Sequence, residues 1–115
     1  MRKLKFKREY WELFFTDGKC VEIRDEAKAP GKWLAVDAAN GEELGIIKLA
    51  KGGPESRAFK FLHGIDARRD GFDSADKLKT VLENCYPGTT GEKIFYIHGV
   101  DAVARAGCKL GGWKK

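Results

Sequence analysis

The sequence predicts a small α+β fold: five or six mostly antiparallel strands curled into a barrel, with two α-helices. Three observations predict it. The pair Asn40-Gly41 lies between two apolar arms, the signature of a β-hairpin. Other short β-prone stretches, bounded by turn residues, recur along the chain, and a small barrel removes sheet edges by closing on itself. Two segments, 8–15 and 73–88, place apolar residues at helical spacing instead. A chain of 115 residues forms one domain with a single modest core.

The elements follow in order. "LKFK" at 4–7 alternates apolar and basic residues and reads as a short strand. "REYWELFF" at 8–15 sets Tyr10, Trp11, Leu13, Phe14 and Phe15 on one broad face of a short amphipathic helix, which Asp17-Gly18 ends. Cys20-Val21-Glu22-Ile23-Arg24 is β-prone, and "EAKAPGK" at 26–32 is a loop. Trp33 to Asp37 and Leu44 to Leu49 are the hairpin arms. "GGPES" at 52–56 is a loop, and "RAFKFLHGI" at 57–65 alternates as a strand does. "DARRDGF" at 66–72 is polar and turn-like, with Phe72 as a core plug. "DSADKLKTVLENCYPG" at 73–88 is a helix: Asp73 or Ser74 caps it, Leu78, Val81, Leu82 and Cys85 form its apolar face, and Pro87-Gly88 stops it. "EKIFYIHGVDAV" at 92–103 is a strand. The predicted domain spans 1–103, and 104–115 reads as a basic, glycine-rich tail.

The net charge of +5 and pI of about 9.2 lean towards polyanions, without the dense positive stripe of a nucleic-acid coat protein. Cys20, Cys85 and Cys108 are scattered, with no CxxC pair, so neither a zinc site nor a disulfide framework is expected. His63 and His98 have no third candidate ligand beside them, and no metal or cofactor is expected. "YWELFF" is too short and interrupted for a signal-peptide apolar region, and no run approaches a membrane span. The expected location is the cytoplasm.

Lys19, Glu22 and Arg24 crowd one short strand. Residues two apart on a strand share a face, so Cys20, Glu22 and Arg24 point one way and Val21 and Ile23 point into the core. Lys19, at the turn, reaches back towards Glu22. These charges form either a surface ion-pair ladder or the lining of a pocket. In a pocket, Glu22 between two cations titrates low and accepts hydrogen bonds from an amino group. Arg24 there holds a phosphate or a carbonyl edge.

"DGKCVEIR", followed by Gly31, resembles the G-x-K-x-x-E-x-R signature of ASCH domains, which are small RNA-associated barrels of the PUA-like superfamily. "RRDGFDSADKLKTVLENCYPG" at 68–88 resembles the ASCH segment in which an acidic-Gly-Phe turn leads into a helix ending in Tyr-Pro. Trp33 starts a strand behind a loop and would edge a cleft, and Tyr86 would stack on a base or pack between helix and sheet. The resemblance covers roughly residues 4–100 and implies a PUA-like barrel with a charged cleft built around Lys19, Glu22, Arg24 and Asp70. It implies that RNA, a nucleotide or a modified nucleoside binds there.

The chain is also similar to small bacterial N-acetylcytidine amidohydrolases, which implies a second function: metal-independent hydrolysis of an N-acylated cytidine-type nucleoside. Lys19 would then stabilise the oxyanion, and Glu22 or Asp70 would direct water. Glu22 stands where those enzymes have a threonine, and Asp70 stands where they have a glutamate. Ribonuclease chemistry and a phage or mobile-element interaction role are further alternatives. Lys3, Lys5, Lys7, Arg8, Arg68, Arg69, Lys114 and Lys115 would attract a phosphate backbone, and Trp113 would stack on an unpaired base.

Overall fold

The computed structural model describes residues 1–107. Its elements are β1 (Lys3–Phe6), α1 (Arg8–Thr16), β2 (Val21–Arg24), β3 (Gly31–Asp37), β4 (Glu43–Leu49), β5 (Glu55–Ala58), a 3₁₀ turn (Phe59–Phe61), α2 (Gly64–Arg69), α3 (Ala75–Cys85) and β6 (Ile94–Arg105). The class is α+β, with six strands in one curled sheet and two main helices, α1 and α3.

The strand order is β1-β3-β4-β6-β2, with β5 also paired to β6. All pairings are antiparallel except β1 with β3. Strand β6 organises the sheet. Its first half, Ile94 to Gly99, is flanked by β5 and β2, and its second half, Val100 to Arg105, pairs with β4. The sheet curls until its edge strands meet without a backbone ladder. Arg24 on β2 bridges the gap, its Nη2 donating to the Lys5 carbonyl on β1 at 2.6 Å.

Two apolar clusters flank this seam. Leu4, Phe6, Trp11, Ala35, Leu44, Ile47 and Leu49 bury α1 against β1, β3 and β4. Trp11 is 1% exposed and meets Phe6, Phe14 and Phe15 edge-on. The second cluster, Val21, Ile23, Leu62, Ala67, Leu78, Leu82, Phe95 and Ile97, packs α2 and α3 on β2 and β6. Ser74 caps α3, accepting from the Lys77 amide, so the acidic-Gly-Phe turn hands the chain directly to the helix.

Two expectations need correction. The strand expected over 57–65 stops at Ala58 because its partner runs out: Ala58 pairs with Ile94, the first residue of β6. The chain curls there, with the Phe59 amide on the Lys93 carbonyl and the Lys60 amide on the Gly91 carbonyl. The polar segment 66–72 is not a plain turn. It lies mostly in α2, started by a capping box in which His63 receives the Asp66 amide and the Asp66 carboxylate receives the His63 amide. At the other end of the chain, β6 runs two residues past the expected domain limit of 103. Arg105 forks onto both carboxylate oxygens of Glu12 at 2.7 Å. The expectations for Trp113, Lys114, Lys115 and the rest of 108–115 lie outside the described residues. No helix among the described residues is long and apolar enough to cross a membrane.

Candidate functional site

The site forms where two turns touch. The first follows α1. Asp17 ends the helix in an ordinary conformation (φ −122°), and Gly18 takes the left-handed one (φ +69°). The left-handed residue of this turn is therefore Gly18, which sets Lys19 just ahead of β2. The second turn follows α2: Gly71 (φ +88°) lies so close that a Cβ there would sit 3.1 Å from Leu13 Cβ and 3.3 Å from Lys19 Cβ. Only a residue without a side chain lets the turns approach this far. The Cys20 amide donates to the Arg69 carbonyl at 2.7 Å and locks them together.

This contact presents Asp70 to Lys19. The Lys19 ammonium pairs with Asp70 Oδ1 and, at 3.0 Å, with Glu22 Oε1. Arg24 Nε closes on Glu22 Oε2 at 2.6 Å. The result is a chain of alternating charge, Asp70–Lys19–Glu22–Arg24, continued by the Lys5 carbonyl. Phe14 lies 5.2 Å from the Lys19 ammonium and Phe6 lies 4.7 Å from the Arg24 guanidinium, so rings cover both cations.

Lys19, Glu22 and Asp70 are buried, at 6%, 7% and 4% exposure. Burial opposes charge on all three, and the neighbours decide each outcome. Burial works against the Lys19 ammonium, but the Asp70 and Glu22 carboxylates outweigh it and hold its pKa above the ordinary value. Burial also works against the Glu22 carboxylate, but Lys19 and Arg24 outweigh it and keep it ionised well below its usual range. For Asp70, burial wins. Helped by the nearby Glu22 charge and only partly countered by Lys19, it pushes the carboxyl from 3.8 to about 7. The site thus holds a fixed cation, a fixed anion and a carboxyl that exchanges its proton near neutral pH.

These groups open onto a cavity of about 290 Å³ in the β1/β2 seam. Phe6, Tyr10, Phe72 and Tyr86 supply aromatic walls, α3 adds Val81, Leu82, Asn84 and Cys85, and Lys5 and Lys7 stand at the rim. Tyr86 is fixed edge-on against Phe95 with centroids 5.6 Å apart, and burial pushes its hydroxyl up to about 12.

Lys19, Glu22, Arg24, Asp70 and Tyr86, expected at one cleft, all line the cavity, and Lys5 and Lys7, expected on a separate basic surface, line it too. Other candidates do not line the cavity, Lys3 among them. Trp33 packs against the α1 cluster, with its indole N–H on the Ala29 carbonyl at 2.8 Å and the Arg2 guanidinium stacked 4.4 Å from its ring. Arg8 is turned away by Asp37 at 3.1 Å and Glu42 at 3.5 Å. Arg68 and Arg69 are exposed on α2. Cys20 is exposed and also lies off the cavity.

Sequence reasoning passed over one residue. His98 is 2% exposed and sits opposite Glu22 in the β2/β6 register. Its Nε2 accepts the Lys28 amide at 2.9 Å, so its Nδ1 carries the proton and donates to the Glu22 carbonyl at 2.9 Å. Burial holds its pKa below the ordinary value, which keeps it neutral. It pins the loop after β2 to the backbone of Glu22. The only signal for it in the sequence was a histidine inside an apolar strand.

Among the described residues, no group of three His, Cys, Asp or Glu side chains is placed to hold a metal ion. No protein-family model, curated protein or solved structure matches the chain.

Proposed function

We propose that the seam cavity binds one nucleobase, carried by a nucleoside, a nucleotide or an unpaired position in RNA, and that the chain is an ASCH-type domain. One observation carries this reading: a buried Asp70–Lys19–Glu22–Arg24 array forms one wall of a small cavity whose other walls carry four aromatic rings, Phe6, Tyr10, Phe72 and Tyr86, among aliphatic and polar side chains. Rings take the faces of a base and fixed charges take its polar edge, a division of labour common in base recognition. The volume supports a single unit, since it sits at the lower end of the roughly 300–1,000 Å³ of small-molecule sites. Glu22, whose charged form Lys19 and Arg24 favour, accepts from an exocyclic amine. Arg24 uses two of its five donors on Glu22 and Lys5, leaving others for a ring carbonyl.

A second reading, hydrolysis of an N-acylated nucleoside, is favoured by Asp70 alone, because a carboxyl at about 7 suits a general base and acid at neutral pH. In that reaction Asp70 takes a proton from water as its oxygen adds to the acyl carbon. The Lys19 ammonium stabilises the oxyanion. The proton then passes to the departing amine nitrogen as the C–N bond breaks, giving the carboxylic acid and the free nucleoside.

Calorimetric titration of cytidine, adenosine, guanosine and uridine tests the binding reading. At least one base binds, and Glu22→Gln, which keeps the shape, weakens it about 10- to 100-fold, the worth of a hydrogen bond to a charged group. Absence of nucleobase binding, or equal binding by Glu22→Gln, overturns it. Mass-resolved incubation with N4-acetylcytidine separates the two readings.

A further inference from the structure

We propose that the ligand carries a phosphoryl group and that Lys5 and Lys7 hold it at the cavity rim. The proposal rests on the nucleobase reading above and adds the class of the whole ligand: a nucleotide, free or within an RNA chain, rather than a bare nucleoside.

The charge balance of the cavity leads there. Four cations line it, Lys5, Lys7, Lys19 and Arg24, against two carboxylates, Glu22 and Asp70. Lys19 is consumed by both carboxylates, and Arg24 by Glu22 and the Lys5 carbonyl. Four cations less the Glu22 anion and an Asp70 carboxyl that is only partly ionised near neutral pH leave an excess of at least +2, and the unpaired part of it belongs to the rim lysines. A phosphate monoester carries nearly that charge at neutral pH, and an in-chain phosphodiester carries half of it.

The two lysines are placed as a pair. Lys5 lies on β1 and Lys7 follows the strand's end with its backbone still extended (φ −68°, ψ 133°), so the two sit roughly 7 Å apart at the backbone and both line the cavity, while Leu4 and Phe6 go into the core. Among the described residues neither has an ion-pair partner. The Lys7 ammonium faces the Tyr10 ring, 5.8 Å from its centroid. This is not for want of acids in the chain. Arg8, the next residue, is held by Asp37 and Glu42, Lys60 by Glu92, and Lys93 by Asp25. Among the described residues, carboxylates neutralise these cations and leave Lys5 and Lys7 bare, as they also leave Lys3, Arg68 and Arg69; what sets Lys5 and Lys7 apart is that both line the cavity. Lys7 also begins α1 without a side-chain cap, which adds the positive end of a helix to the same corner. The acid in that first turn, Glu9, is exposed and does not line the cavity.

A base seated against Glu22 and Arg24 has its ribose towards the mouth and its phosphate beyond the ribose, where the rim lysines stand. The phosphate source is either a free mononucleotide or an RNA strand, and one set of titrations distinguishes them. Cytidine and adenosine are compared with their 5′-monophosphates and with short single-stranded oligoribonucleotides of the same bases, at two salt concentrations. The expected result is about tenfold tighter binding of the monophosphate than of the nucleoside at low salt. High salt reduces that ratio, and Lys5→Gln/Lys7→Gln brings it towards one. Oligonucleotide binding that exceeds mononucleotide binding and shows the same loss assigns the phosphate to RNA. Mononucleotide binding without oligonucleotide binding assigns it to a free nucleotide. Equal affinity for nucleoside and monophosphate, or a ratio that survives in the double variant, overturns the phosphate proposal and leaves the base pocket standing. Absence of binding by every probe overturns both.

Discussion

Replacing Asp70 by asparagine should change how stability depends on pH, and the size of the change follows from the site. In the folded protein burial raises the Asp70 carboxyl from 3.8 to about 7. Between those values the folded state keeps a proton that the unfolded chain has lost. Stability contributed by this group is therefore greatest below pH 4 and falls as pH rises towards 7. At about 1.4 kcal/mol per unit, the part of the shift that lies between pH 5 and pH 8 amounts to about 2–3 kcal/mol. That is a large share of the roughly 5–15 kcal/mol that holds a domain folded. His98 acts in the opposite sense: its lowered pKa makes stability rise with pH through the ordinary histidine range. The informative quantity is therefore the difference in pH slope between wild type and Asp70→Asn. Urea unfolding followed by far-UV circular dichroism at pH 5, 6, 7 and 8 gives it directly. Wild type should lose about 2–3 kcal/mol relative to the variant across that range. Parallel slopes would mean that Asp70 is ionised throughout, and the argument for a proton-exchanging carboxyl in this cavity would fail.

Two other substitutions probe the scaffold around the site. Lys19→Met leaves two buried carboxylates with Arg24 as the one remaining cation of the array, and should lower stability by about 3–5 kcal/mol at pH 8 and by less at pH 5, where Asp70 is neutral; an unchanged urea midpoint at pH 8 would contradict the buried pairing. Gly45→Ala would drive a Cβ to 1.9 Å from the Ala104 carbonyl oxygen and 2.9 Å from Trp11 Cζ2, so a loss of more than about 3 kcal/mol is expected in thermal melts, and a wild-type melting temperature would contradict the packing of α1 over β4 and β6.

The local signals in the sequence read well where local forces decide. The Asn40-Gly41 turn, the aromatic face of α1 and the Ser74 cap all appear in the structure at their expected places. The failures come from pairing, which no local pattern carries. Arg57 to Leu62 alternates like a strand, yet it leaves the sheet at Ala58 because β6 begins opposite that residue. The start of α2 was missed because its capping box uses His63 where serine or threonine is usual. The site was partly legible for the same reasons. Lys19, Glu22 and Arg24 are neighbours in sequence, so their grouping could be read off directly, and Asp70 joined them only through the family resemblance. His98 became part of it through the register that sets it against Glu22, which is a property of the folded sheet. Trp33 looked like a cleft residue because it follows a loop, but it packs against the α1 cluster with Arg2 and Ala29 as its partners and does not line the cavity.

The bond from Arg24 to the Lys5 carbonyl makes one side chain answer to two selective pressures. It fastens the curled sheet where no ladder does, and it lines the cavity that the ligand would enter. A lysine in its place would keep the charge but not the fork that reaches Glu22 and Lys5 together. A change at this position alters the cavity and loosens the architecture at once, so a substitution that reshapes the cavity and spares the fold has to fall around it, on the rim or along α3, while the latch stays fixed.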